Sequence, residues 1–194
     1  MVVVLHGNYD RPEWECAVWR KASALYGWTL CPRGVPRPGA PPKEDRWTYA
    51  GRAQIVAEID ASLQALQARY PGQVDTSPGS VVLAGFSLGA IHAPAIALEQ
   101  AGRYRAIALV EGDQNKLTPQ ALRRLEQAGV RDILLAASAP GSVKLAQRLT
   151  ARAMKAGVRV TVLAMPGAGH GYSRDFAIRA APFLLGLDGD TPDP

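Results

Sequence analysis

The chain has 194 residues, 47% apolar and 20% charged, an ordinary balance for a single globular domain with a sizeable core. No apolar run is long enough to span a membrane, and residues 1–5 lack the basic leader and cleavage site of a signal peptide, so a cytoplasmic location is the default expectation. The net charge is +5, but the arginines (Arg52, Arg69, Arg103, Arg123, Arg124, Arg148, Arg152) are scattered over helical segments with no aromatic-interleaved basic stripe. That pattern reads as a solvated basic surface and not as a nucleic-acid site.

The β-branched run Val2–Leu5 predicts a fully buried strand, followed by the loop His6-Gly7-Asn8-Tyr9-Asp10. Asp10 with Glu13 suggests a capping box, and Pro12 fits the first turn of a helix running to about Leu25 that buries Trp14, Val18 and Trp19 or their neighbours. Residues 28–31 form a short second strand. Residues 35–46 hold Pro36, Pro38, Gly39, Pro41 and Pro42, which predicts an irregular surface loop ending at Trp47. From 49 to 70 the apolar residues Ile55, Ile59, Leu63 and Leu66 recur at helical spacing.

A third strand at 81–84 leads into Gly85-Phe86-Ser87-Leu88-Gly89 and a helix at 88–101. A fourth strand at 106–110 is followed by the polar loop Glu111-Gly112-Asp113-Gln114-Asn115. Thr118 caps a helix that ends at Gly129, and a fifth strand covers 133–137. A helix at 142–156 closes at Gly157, and a sixth strand spans 158–164. The loop 166–172 carries His170 among glycines; a last helix covers 173–185, and the tail 186–194 is expected to fray.

Strands alternating with helices predict one α/β domain over 1–194, with a mostly parallel six-stranded sheet and helices on both faces. In such sheets the site lies beyond the carboxyl ends of the strands, where the loops after Leu5, Ala84 and Ala164 converge. Cys16 and Cys31 also fall towards that edge. Their spacing matches no metal motif, so two buried free thiols are the default expectation and a disulfide is the alternative.

A serine between two glycines, at a sharp turn from strand to helix, is the layout of a nucleophile elbow. The serine is exposed at the tip, and the helix N-terminus behind it offers free N–H groups to a developing oxyanion. A serine hydroxyl needs a base, and His170 is the candidate by its position and glycine surroundings. His6 is assigned to shaping the oxyanion loop, and His92 to structure. The two oxyanion donors are expected to be the N–H groups of Asn8 and Leu88.

With Leu5-His6-Gly7, Gly85-Phe86-Ser87-Leu88-Gly89 and Gly169-His170-Gly171 in place, the chain from Val2 to about Leu185 resembles the α/β-hydrolases, small carboxylesterases and acyl-protein thioesterase-like enzymes among them. The resemblance implies a serine hydrolase that cleaves a small-molecule carboxylic ester or thioester, with no metal or organic cofactor. Oligomeric state and substrate identity stay open. Two departures stand out. The family sheet usually begins with two further strands before the one at Val2, so the sheet is reduced or the chain is a fragment. The triad acid usually follows the strand at 133–137, but residues 137–142 read Ala-Ser-Ala-Pro-Gly-Ser and hold no carboxylate. Some hydrolases of this fold place the acid one strand earlier, which here offers Glu111 or Asp113. Glu111, directly at the strand end, is favoured. A binding protein on a hydrolase scaffold, without a properly placed acid, is the alternative.

Overall fold

The computed structural model describes residues 1–112 and 114–186. The chain opens with β1 (Val2–Leu5), buried throughout, and α1 (Pro12–Ala22). β2 (Thr29–Leu30) follows, then β3 (Val35–Pro36), a 3₁₀ turn at Pro42–Glu44, β4 (Trp47–Thr48) and α2 (Arg52–Arg69). β5 (Val81–Phe86) and α3 (Leu88–Glu99) flank Ser87, and β6 (Tyr104–Val110) precedes α4 (Pro119–Gln127). β7 (Asp132–Ala137), α5 (Pro140–Met154), β8 (Arg159–Ala164) and α6 (Phe176–Gly186) complete the described chain.

The main sheet is six-stranded, parallel throughout, in the order β2-β1-β5-β6-β7-β8. Alternation along the strands sorts the core into two layers. Val3, Leu5, Leu83, Ile107 and Ile133 pack with Ile55 and Ile59 of α2, Ile96 of α3, Leu122 of α4 and Leu149 of α5. Val2, Val4, Val82, Ala84 and Ala108 pack on the other face with Trp19 of α1 and with Phe176 and Phe183 of α6. The sequence expectation of one α/β fold with a parallel six-stranded sheet and helices on both faces holds. The tail beyond Gly186 lies outside the described residues.

Three local expectations give way. Asp10 and Glu13 close no capping box: the N-cap is Arg11, and Asp10 Oδ1 instead accepts the Arg11 N–H at 2.9 Å. α1 ends at Ala22 and faces the core with Trp19, which leaves Trp14 and Leu25 exposed. The segment 35–46 is not wholly irregular, because β3 pairs antiparallel with β4, Pro36 opposite Trp47. A two-residue edge strand tolerates proline, since its missing donor breaks no central ladder.

The cysteines are a fourth correction. Cys16 and Cys31 form a disulfide, with Cα atoms 5.9 Å apart and no free cysteine in the chain. The first turns of α1 cross the carboxyl end of β2 at the sheet edge, within bridging range. The bridge closes a short loop of 15 residues' separation. Its removal by Cys31→Ser is expected to lower stability by about 3 kcal/mol, read as the midpoint and slope of urea unfolding under non-reducing conditions. An unchanged midpoint would deny the bridge any stabilising role.

Candidate active site

The parallel register aligns the carboxyl ends of four strands: Phe86 pairs with Val110, Val110 with Ala136 and Ala136 with Leu163. The residues just past those ends therefore meet above one sheet edge. Ser87 is the first residue past β5 and the N-cap of α3, with φ 48° and ψ −109°. A non-glycine residue in the left-handed region costs about 1–3 kcal/mol and persists only where its surroundings fix it. Here Ser87 N–H donates to the Val110 carbonyl at 2.9 Å, and Gly89 N–H to the His6 carbonyl at 3.1 Å. The two elbow glycines are required by space. A Cβ on Gly85 would lie 2.5 Å from Ala90 N, and one on Gly89 would lie 2.6 Å from Leu5 Cβ.

His170 Nε2 lies 2.8 Å from Ser87 Oγ, although 83 residues separate them in the chain. The opposite ring nitrogen, Nδ1, is 3.9 Å from Glu111 Oε2. The His170 side chain is 62% exposed and that of Glu111 only 10%, so the carboxylate is shielded while the imidazole stays open to solvent. Glu111 is also left-handed, with φ 51°, where the chain turns off the end of β6. Its Oε1 accepts the Ser138 N–H at 2.6 Å. Ser138 Oγ in turn donates to the Gly169 carbonyl at 2.5 Å, beside His170. Asp113, the other candidate acid, lies outside the described residues.

Ser138 was not singled out from the sequence. It lies in the loop after β7, where the resemblance expects an acid, and its backbone N–H donates to the carboxylate at the end of the neighbouring β6. That position was the only signal for it.

His6 is fully buried, with Nδ1 2.7 Å from the Gly7 carbonyl oxygen and Nε2 2.8 Å from that of Arg33. Its ring stacks on Tyr49 at 4.4 Å, and its N–H donates to Tyr49 Oη at 2.8 Å. The residues after it are tied to the β3–β4 hairpin. Asn8 Oδ1 accepts from Thr48 Oγ1 at 2.8 Å, and Tyr9 N–H donates to the Trp47 carbonyl at 3.0 Å. The N–H groups of Asn8 and Leu88 donate to no other group among the described residues. His92 sits half-buried on α3; burial, then the charges of Arg52 and Lys116, hold its pKa below the ordinary histidine value. Among the described residues no cluster of His, Cys, Asp and Glu could hold a metal ion, and no helix is long and apolar enough to cross a membrane.

Below the site lies a polar knot that no sequence pattern predicts. Glu15 on α1 is buried, 3% exposed. It accepts a short hydrogen bond from the Tyr172 hydroxyl, which accepts from Trp19 Nε1 at 3.0 Å. Burial pushes the Glu15 carboxyl up from 4.5 to about 8 against the opposing pull of the Tyr172 hydrogen bond, and Asp10 pushes it further in the same direction.

Comparison with solved structures gives the same architecture at low sequence identity. Arabidopsis thaliana SOBER1 superposes with a TM-score of 0.64 at 17% identity, over 96% of this chain and 97% of that one. Esterase PE8 gives 0.65 at 21% identity, over 96% and 91%. A Bacillus cereus carboxylesterase gives 0.61 at 15% identity, over 96% and 88%. No protein-family model and no curated protein sequence matches the chain. The structural likeness establishes an α/β-hydrolase fold.

The buried carboxyl sets a pH dependence of stability. Glu15 ionises near 4.5 when unfolded and at about 8 when folded, so between those values the folded chain holds the extra proton. Its contribution is present in full below about 4.5 and is lost as pH rises to about 8. Glu15→Gln is expected to remove that part of the decline, measured as urea midpoints at pH 5, 7 and 9. Parallel curves for parent and variant would refute the assignment.

Proposed function

We propose that the protein is a serine hydrolase cleaving a small-molecule carboxylic ester or thioester. The observation that carries this reading is the line of three side chains, Ser87 Oγ to His170 Nε2 at 2.8 Å and His170 Nδ1 to Glu111 Oε2 at 3.9 Å. The order Ser87, Glu111, His170 along the chain is that of α/β-hydrolase triads.

In the proposed reaction Ser87 Oγ attacks the carbonyl carbon as its proton passes to His170 Nε2. The carbonyl oxygen becomes an oxyanion that accepts from the N–H groups of Asn8 and Leu88. The C–O or C–S bond then breaks, and the proton on Nε2 goes to the leaving alcohol or thiol. Water, deprotonated by His170, attacks the acyl-enzyme; the acid departs and Ser87 regains its proton. Glu111 holds the ring with Nδ1–H towards it and stabilises the imidazolium. The 3.9 Å separation exceeds a hydrogen bond, and a shift of about 1 Å closes it, in keeping with the looser geometry of substrate-free sites.

The solved structures of similar fold include an esterase and a carboxylesterase, which supports the same chemistry. The rival reading, a binding protein on a hydrolase scaffold, draws on the missing carboxylate at 137–142. A carboxylate 3.9 Å from the His170 ring favours the hydrolase reading over that one.

Ser87→Ala is expected to abolish turnover of short p-nitrophenyl esters, and a parental rate in that variant would overturn the reading. Glu111→Gln should lower kcat by a factor approaching about 10⁴, because the ring loses its orienting charge. Asp113→Asn should cost less than Glu111→Gln; the reverse order would move the role of acid to Asp113.

A further inference from the structure

We propose that Glu15 is a positioning residue whose buried carboxyl, set between Asp10 and Tyr172, clasps the loop carrying Asn8 to the loop carrying His170. The inference rests on the hydrolase reading for what those two loops do. Its basis is the geometry of a buried chain of polar groups that the proposed reaction does not use.

On one side stands Tyr172, two residues past His170. Its hydroxyl donates to Glu15 Oε2 and accepts from Trp19 Nε1. Its ring lies 5.2 Å from Phe86 and 4.7 Å from Phe176, and Phe86, next to Ser87, also lies 5.2 Å from the His170 ring. The exit of the base loop is thus fixed to α1 beneath the serine. On the other side stands Asp10. Its Oδ1 accepts the Arg11 N–H, and its Oδ2 lies so close beneath Gly7 that a Cβ there would be 3.0 Å away. Gly7 directly precedes Asn8, so the start of the oxyanion loop packs against the Asp10 carboxyl and the Phe86 ring. Glu15 lies between Asp10 and Tyr172 and interacts with both.

The hydrogen-bond inventory fixes which form of Glu15 works. Tyr172 spends its one hydroxyl proton on Oε2. The hydrogen bond between Glu15 and Asp10 therefore needs a proton of its own, and a protonated Glu15 supplies it, so each proton in the chain finds an acceptor. An ionised Glu15 has no proton to share with the Asp10 side chain and leaves a buried charge against it, which drives the two apart. The groups acting on Glu15 are Asp10, from the loop before α1, and Tyr172, from the base loop; Tyr49, which stacks on His6, feels both carboxylates. Separation of Asp10 from Glu15 would move the oxyanion loop relative to the base loop. Misplacement on the order of 1 Å costs about a hundredfold in rate at a preorganised site.

The test is the pH profile of kcat for p-nitrophenyl acetate between pH 6 and 10, with the NMR signals of the His170 ring protons followed over the same range. In the parent, kcat is expected to fall on the alkaline side as Glu15 ionises, at about pH 8. Glu15→Gln, whose amide accepts from Tyr172 and donates to Asp10 as the protonated acid does, should retain its rate past that point. Tyr172→Phe keeps the ring packing and drops the hydroxyl; it should lower kcat about tenfold at pH 7 with KM little changed. An alkaline limb unaltered in Glu15→Gln, or an unchanged kcat in Tyr172→Phe, would overturn the clasp. If the parent hydrolyses no ester, the hydrolase reading fails and the ring signals alone decide. A second inflection present in the parent and missing in Glu15→Gln supports the clasp, and identical curves refute it.

Discussion

The elbow depends on how closely the N-terminus of α3 approaches the ends of β1 and β5. Gly85 and Gly89 leave room for that approach because a Cβ on either would strike backbone or a core side chain. Neither adopts a positive φ; the residue that does is Ser87 between them. The strain is therefore carried by the one side chain that must stand clear of the sheet. Two hydrogen bonds pin it, to the Val110 and His6 carbonyls, and both acceptors belong to neighbouring strand ends. Core packing on both faces of the sheet fixes those strands, and so holds the serine where its backbone alone would not remain.

A second consequence of the aligned strand ends is that a carboxylate stands beside His170 from a different strand than the resemblance suggests. Glu111 Oε2 comes within 3.9 Å of His170 Nδ1 from the end of β6, where the chain leaves the strand at a left-handed residue. The neighbouring β7 end adds a backbone N–H to its far oxygen and a hydroxyl to the base loop. Ser138 thus takes over a supporting position and leaves the charge to Glu111. In the proposed reaction this arrangement keeps the carboxylate dry and the histidine open.

What could be read from the sequence was local or periodic. Alternating buried runs such as Val2–Leu5 and helical spacings such as Ile55, Ile59 and Leu63 depend on neighbours in the chain, so strands, helices and layer order followed. The spacing of Gly85 and Gly89 around a serine marked the elbow for the same reason. What escaped depended on distant partners. The Cys16–Cys31 bridge exists because α1 crosses the end of β2, which spacing alone does not encode. Pro36 hid a hairpin that needs only two residues a side. Nothing local marks Glu15, whose partner Tyr172 lies 157 residues away. Trp14 and Trp19 were equivalent in composition, and only the packing against Phe176 chose Trp19 for the core.

The central claim is that Ser87 is a nucleophile activated by His170. The direct measurement is reaction of the intact protein with a fluorophosphonate, followed by peptide mapping of the adduct. The account predicts one adduct, on Ser87, formed by the parent and lost in His170→Ala. No adduct on the parent, an adduct on another serine, or undiminished labelling of Ser87 in His170→Ala would contradict it.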